Sequence, residues 1–479
     1  MSHTKRKSLL CLSILFMLLP VARVVAQGEP SPAVTAPEVL PENFESQFDE
    51  RIKSVVAVEL FVQNEIDRDP VGAIGVVFDA EGRIILMDNT IPSWLPPERF
   101  KDIRVRPLGQ DVEGFKGRYL GQDSLSGNHF IQLEEGRDQF TPITEWGKAD
   151  PKTGQFLWGI GVMSKPWHFM PYFLCSRLSA VEKLPWEMGF GVRAMTTPGA
   201  PVFDAQGRFA GWGGRPSTEE KLLILDGSNQ RPVGLQDLRE SNAFLSVERF
   251  YEFIQRVPSS PMGDPRPWLG ATGMQPLSRE VAQFLGLEGQ GAVVLSDIIE
   301  ASPADKAGLE SKDVIVKIDG EPLPKLRPDV IMPRYVDTEL MRRQIGDKVT
   351  LTVIRGDEEK DIEVEMGKQP KVLKEAEREY YADLGLGIRE FLLLDGVARR
   401  ELRTGVGGVV ADFIKPNSKA NSAGVQPGDW IKEIDGTEIN SFAQAKQVLS
   451  NIESDNGRSE AVFLVERNNE TKVLRLKLN

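Results

Sequence analysis

"GAVVLSDIIEASPADKAGLESKDVIVKIDG" (residues 291–320) and "GGVVADFIKPNSKANSAGVQPGDWIKEIDG" (407–436) align without a gap, each position of the first pairing with the one 116 further on. Val293 matches Val409, Ile298 matches Ile414, Ser302 matches Ser418, Gly308 matches Gly424, Asp313 matches Asp429, and Asp319-Gly320 matches Asp435-Gly436. A repeat of this length means that one supersecondary unit is used twice. Each copy runs on into a helical stretch ("TELMRRQI" or "SFAQAKQVLSNI") and a hairpin ("KVTLTVIRGDEEKDIEVEM" or "EAVFLVERNNETKVLRLKL"). Each also opens on a short glycine-containing stretch, "WLGATG" at 268–273 and "LGLGI" at 384–388.

The repeat resembles the bacterial PDZ domain, with its "SPA..AGL..GD.I..I.G" core and a hydrophobic-Gly-hydrophobic turn. The resemblance implies a partly open β-barrel of α+β type, in which a C-terminal or extended peptide adds a strand to an exposed sheet edge while turn amides receive its carboxylate. Glycine lets backbone approach closely, which places the carboxylate cradle at Leu269-Gly270-Ala271 in the first copy and at Leu386-Gly387-Ile388 in the second. The first copy departs from the pattern twice. It has Ser311-Lys312-Asp313 where the second has Pro427-Gly428-Asp429, and it carries the extra residues "KLRPDVIMPRYVD" before its helix.

Upstream, a Pro-rich linker at 257–267 follows a helical stretch, "LSVERFYEFIQRV", with Leu245, Val247, Phe250, Phe253 and Ile254 on one face. Before it, from about residue 52, short runs such as "SVVAVELFV", "GAIGVVFDAEGRIILMD", "DIRVRPL", "HFIQL" and "FLWGIGV" alternate with turns, the mark of an all-β sandwich or barrel. The N-terminus reads as an export signal: Lys5, Arg6 and Lys7 precede "SLLCLSILFMLLPV", and "VVA" ends at Ala26. Pro20 and Arg23 cut the apolar run below the roughly 20 residues of a spanning helix. Cleavage after residue 26 takes four positive charges and no acidic one from the net −12, leaving −16. That surface repels nucleic acid and anionic lipid. It also removes Cys11, so Cys175 has no partner for an internal disulfide, and no cysteine or histidine cluster suggests a metal.

Signal, β block, closing helix and paired PDZ copies resemble the HtrA/Deg serine proteases. "GAIGVVFDAEGRIILMDNTI" is similar to that family's "GSGVVIDxxGxILTNNHVV", "YLGQDSLSGNHFIQL" to "VGxDPxTDLAVLKI", and "TTPGAPVFDAQGRFAGW" to "NPGNSGGPLxxxxGxVIGI". The expected fold is therefore mainly β: a trypsin-like double β-barrel followed by two PDZ domains. The expected boundaries are signal 1–26, Pro-rich segment 27–48, protease-like domain 49–256, linker 257–267, first PDZ 268–368, linker 369–383 and second PDZ 384–479.

The catalytic residues do not carry over. A serine protease needs a nucleophile, a histidine base, an aspartate to orient it and two amides for the oxyanion. On this resemblance the histidine position is Thr90, the aspartate position is Gly127 or Asn128, and the nucleophile position is Ala200, with the family's "NSG" missing before Pro201. The histidines left after signal removal are His129, a strand or turn residue, and His168, seven residues before a core-like Cys175. Trp158, Trp167, Trp186 and Trp212 read as core. The expectation is an exported, periplasmic or secreted pseudoprotease without cofactor or metal, binding peptides or C-termini of other exported proteins. Family resemblance implies homo-oligomers, commonly trimers, or mixed oligomers with an active relative, and Phe44 and Phe48 are candidates for that contact. Two rivals stand beside it: a serine endopeptidase with rebuilt catalytic residues, and a purely structural envelope component.

Overall fold

The computed structural model describes residues 44–88, 90–146, 151–183, 186–214, 223–225, 232–234, 240–400, 407–455 and 457–478. The export signal and most of the Pro-rich segment lie outside these residues. Strands β1 (Val55–Gln63), β2 (Arg68–Val77), β3 (Arg83–Leu86), β4 (Phe100–Pro107), β5 (Phe115–Gln122) and β6 (His129–Leu133) close into a barrel in the order β1-β2-β3-β6-β5-β4. A second barrel has the order β10-β11-β14-β9-β8-β7. Its strands are β7 (Phe156–Val162), β8 (Pro171–Glu182), β9 (Met188–Gly191), β10 (Pro201–Asp204), β11 (Phe209–Gly213) and β14 (Ala243–Ser246), with a small hairpin of β12 (Leu223–Leu225) and β13 (Pro232–Gly234) inserted before the last.

The alternation in β1 explains why the barrels pack together. Val56, Val58, Leu60 and Val62 fill the first barrel with Ile84, Leu86, Val105 and Ile131. Val55 and Ala57 point the other way, into a cluster shared with Trp158, Ile160, Phe203 and Trp212 of the second barrel. One strand thus serves two cores because side chains of period two face opposite sides. Each large apolar side chain so buried contributes about 1.5–3 kcal/mol.

Helix α1 (Phe44–Arg51) spans the end of the Pro-rich segment and the start of the domain expected from residue 49. Phe44 and Phe48 set their rings against Trp158 (5.4 and 6.2 Å) and Phe173 (4.5 and 6.2 Å). These candidates for a subunit contact are therefore used on the chain's own second barrel. Helix α2 (Val247–Ile254) buries Val247, Phe250, Phe253 and Ile254 as the spacing predicts, while Leu245 belongs to β14. Of the four tryptophans read as core, Trp158 and Trp212 are buried, Trp167 is 62% exposed, and Trp186 lies half-buried under the Arg249 and Arg334 guanidiniums. Trp167 sits in a one-turn helix just before β8, where no second layer covers it.

Both copies of the repeat share a central strand, a helix and a closing hairpin: Val314–Ile318, Met332–Met341 and 348–365 in the first, Trp430–Ile434, Phe442–Ser454 and 460–477 in the second. Pro267–Trp268 pairs with Gly367–Lys368, tying the two ends of the first copy together. Asp319 and Asp435 take up left-handed φ values of 51° and 49°. Their carboxylates accept the Thr350 and Val462 amides at 2.9 and 2.8 Å, which is the local reason for the repeated "IDG". Two expectations are corrected. The last residues of the insertion, from Met332, are already helix (Met332–Met341), because Met332, Val336 and Leu340 share one buried face. The segment read as a linker, 369–383, contains a strand, Arg378–Tyr381, that joins the second copy's sheet.

Candidate functional site

In the inter-barrel turn, β7 and the Thr196–Pro201 segment are stitched by the Val162 amide to Thr197 Oγ1 (2.9 Å) and the Thr197 amide to the Ile160 carbonyl (3.0 Å). The Gly199 amide donates to the Gly213 carbonyl (2.9 Å) and the Ala200 amide to the Thr197 carbonyl (2.9 Å). Gly199 is at φ +88°, and a Cβ there would stand 2.7 Å from the Ile74 carbonyl of β2. The turn is pressed onto the first barrel, Ala200 lies fully buried in the shared core, and both amides at the nucleophile position are already engaged. An oxyanion pocket needs two amides that point at open space.

The other two positions lie together on the first barrel. The Thr90 hydroxyl donates to the Met87 carbonyl. Gly127, at φ +75°, abuts Asp88: a Cβ there would stand 3.1 Å from Asp88 Cβ. Asn128 Oδ1 accepts the Asp88 amide at 3.2 Å. Of the two aspartate positions left open by the sequence, Asn128 is thus the one whose side chain reaches the β3–β4 connection. Asp123 is committed elsewhere, taking the Ser126 amide and hydroxyl (2.8 and 2.7 Å) and Arg256 Nε (3.0 Å).

His129 is a fully buried strand residue whose Nδ1 lies 2.8 Å from the Tyr119 hydroxyl. Burial, with Lys374 adding to it, pushes its pKa down to about 3, so the ring is neutral and a feeble base. His168 Nδ1 sits 3.4 Å from Asp111, in the turn before β8. Cys175 lies opposite Trp158, four strand steps or about 13 Å of extended chain beyond Pro171. These placements do not form a Cys/His pair. Among the described residues there is no cluster of three or more His, Cys, Asp or Glu side chains able to hold a metal, and no helix long and apolar enough to cross a membrane.

The two turns expected to bind peptide are built on a shared device. In the first copy Gly270 has φ +91°, and a Cβ would stand 2.2 Å from Ser302 Cβ. The Leu269 carbonyl accepts the Ala304 amide at 2.8 Å and the Gly270 carbonyl the Ile299 amide at 2.9 Å. In the second copy the same environment belongs to Gly385: φ +67°, a Cβ 2.2 Å from Ser418 Cβ, and the Leu384 and Gly385 carbonyls accepting the Ala420 and Lys415 amides at 3.0 and 2.9 Å. The second turn is therefore Leu384-Gly385-Leu386. The expected Leu386-Gly387-Ile388 is corrected, since these residues form a strand, Leu386–Glu390, paired on both edges, and Gly387 shows no left-handed φ. In "LGLG" the serine 33 positions after Gly385 (32 after Gly270) is the signal that separates the two Leu-Gly pairs.

Comparison with known proteins agrees with this architecture. Residues 272–366 match the family model of the PDZ domain. Over 205 residues, 42% of this chain, the sequence is 30% identical to a probable periplasmic serine endoprotease DegP-like of Rhizobium meliloti (strain 1021), covering 38% of that protein. Over 221 residues, 45% of this chain, it is 28% identical to the protein of the same description from Hahella chejuensis, covering 44% of it. The chain thus matches less than half the length of these curated relatives. Among solved structures, an HtrA-type protease AlgWS227A with decapeptide superposes over 68% of this chain and 97% of its own, at 16% identity and a TM-score of 0.48. Fold and sequence together define a mainly β protein with two closed six-stranded barrels and a PDZ domain. Over these matched stretches the chain is similar to DegP-like proteins.

Proposed function

We propose that this chain is an exported HtrA/Deg-like pseudoprotease that binds exposed or C-terminal peptide segments of other exported proteins through its PDZ copies, as a scaffold, a chaperone-like holder or a regulator. The observation that carries the reading is the engagement of the Gly199 and Ala200 amides with the Gly213 and Thr197 carbonyls, at a position with no side-chain oxygen. A barrel so arranged offers neither nucleophile nor anion pocket, and what remains is the capacity to grip. Export is supported by the charged-then-apolar N-terminus and by the periplasmic naming of the relatives. Oligomers, homomeric or mixed with an active relative, belong to the same proposal.

The rival reading, a serine endopeptidase with rebuilt residues, has in its favour the naming of the relatives as endoproteases. Casein digestion with fluorophosphonate labelling of the purified chain separates the two. The proposal expects no time-dependent cleavage and no label. Cleavage abolished by a point substitution in this chain would overturn it. A screen of the full chain against a C-terminal peptide library tests the binding half, and silence there leaves the purely structural reading.

A further inference from the structure

The second copy's groove is not empty. In a PDZ domain the ligand lies antiparallel between the strand after the glycine turn and the neighbouring helix, with its terminal carboxylate on the turn amides. Here those elements are Leu386–Glu390 and the helix Phe442–Ser454, and the chain's own Arg378–Tyr381 lies between them. It runs antiparallel to the strand, Tyr381 opposite Leu386 and Glu379 opposite Ile388. The Tyr381 carbonyl accepts the Gly385 amide at 2.8 Å, standing where a terminal carboxylate oxygen would.

Side chains alternate as a bound ligand's would. Tyr381 is buried at 2% exposure among Leu384, Leu386, Ala445 and Leu449, and its hydroxyl reaches the Lys446 carbonyl of the helix at 3.4 Å. Glu379, two residues earlier, takes Lys446 Nζ at 2.7 Å. The alternate residues face away: Tyr380 packs edge-on against Phe413 (5.7 Å), and Arg378 pairs with Asp412 (3.2 Å). The first copy differs, since the strand after its turn, Ala271–Thr272, is paired only with Asp297–Ile298.

We propose that Arg378–Tyr381 is a built-in ligand of the second PDZ copy, so that this groove admits a partner only when the segment is displaced. The partner it fits is a C-terminus ending in an aromatic residue with a carboxylate two residues before it. Tyr381 defines the deep pocket and Lys446 the acidic preference. The inference rests on the reading of the repeats as peptide binders. A tethered occupant lowers the apparent affinity of a free peptide by the fraction of time the groove stands open.

The test uses the full chain and a fluorescein-labelled decapeptide ending Glu-Tyr-Tyr, with anisotropy for affinity and amide hydrogen exchange of residues 386–390 and 442–454 for location. Glu379→Lys sets two cations against each other at an exposed pair and leaves the core intact, and Tyr381→Ala empties the pocket. The expected result is binding at the second groove at least about tenfold tighter in both variants than in the wild type. A decapeptide ending Lys-Tyr-Tyr should lose this gain unless Lys446→Glu is also present. Equal second-groove affinity in wild type and variants overturns the built-in ligand, as does second-groove silence in every variant while the first copy binds library peptides. Silence of both copies in all variants overturns the underlying peptide-binding reading instead.

Discussion

Arg467 grips Asp429 with two nitrogens, Nε to Oδ1 and Nη2 to Oδ2, both at 2.6 Å, and Nη2 also donates to the Gly424 carbonyl at 2.8 Å. Arg355 repeats the arrangement in the first copy, reaching Asp313 at 2.7 Å twice and the Gly308 carbonyl at 2.8 Å. Both carboxylates are buried, at 0% and 1% exposure. The aspartate shared by both copies is thus a bracket between the last hairpin and the helix end, and the glycine five residues before it, Gly308 or Gly424, supplies the carbonyl.

Removing the arginine leaves an uncompensated buried carboxylate. Arg467→Leu should therefore destabilise the second copy, and Arg355→Leu the first, by about 3–5 kcal/mol each. Arg467→Lys should cost less, since one of the two hydrogen bonds survives. Urea denaturation followed by amide exchange, which assigns the loss to one copy, checks the claim. A loss under about 1 kcal/mol would mean that the pair is solvated like an ordinary surface bridge.

Much of this was legible in the sequence because its signals are local. Alternating apolar runs mark the barrel strands, and the gapless repeat marks one unit used twice. The departures have physical causes. Arg378–Tyr381 sits within the charged run "EAEREYY", and its strand character comes from the groove that receives it, a tertiary partner that no local pattern announces. Gly385 is hard to pick out because the offset of 116 holds only over 291–320 and would carry Gly270 onto Leu386, between two glycines, while the turns themselves are 115 apart. The engaged amides of Gly199 and Ala200 were not readable at all, since backbone hydrogen bonding across a turn leaves no mark on residue identity. What the sequence does offer there is an alanine, Ala200, where the resemblance would place a serine.

His129 gives the barrel a pH dependence. In the folded chain burial holds the ring neutral down to about pH 3, whereas in the unfolded chain it titrates near 6.5. Between those values the unfolded state binds more protons, so the ring's contribution is complete above about pH 6.5 and is lost as pH falls toward 3. The wild type should lose stability relative to His129→Gln by up to about 1.4 kcal/mol per pH unit through that window. Urea midpoints of both proteins at pH 7.0, 5.5 and 4.5 read this difference. A gap that does not change with pH would mean that the ring is hydrated.

Gly270 and Gly385 occupy left-handed backbone with a serine Cβ 2.2 Å from where their own would be. Ser302 and Ser418 cannot retreat, because each caps a short helix, accepting the Asp305 and Asn421 amides. Gly270→Ala should cost more than about 1 kcal/mol from backbone conformation alone, with the clash added. On the proposed peptide-binding function it should also abolish binding by the first copy while leaving the second copy's stability unchanged. Gly387→Ala is the control: its new methyl group meets Phe413 Cβ at 3.1 Å with no left-handed φ, so a milder loss is expected. If Gly387→Ala proved more damaging than Gly385→Ala, the assignment of the second turn to Gly385 would fail.

Ala200→Ser tests whether a nucleophile alone revives the barrel. The new hydroxyl would arise in the shared core, on a turn whose amides at 199 and 200 are held by the Gly213 and Thr197 carbonyls. Across the barrel the Thr90 hydroxyl is turned to the Met87 carbonyl and Asn128 to the Asp88 amide, so no imidazole stands ready to take a proton. Loss of a complete catalytic set costs on the order of 10⁶-fold in turnover, and a single hydroxyl does not recover it. The variant is expected to remain unlabelled by a fluorophosphonate and to leave casein intact over a day, with a melting temperature lowered by the buried hydroxyl's unmet hydrogen bonding. Stoichiometric labelling at position 200 would mean that the turn opens in solution and that its two amides can still converge on an oxyanion.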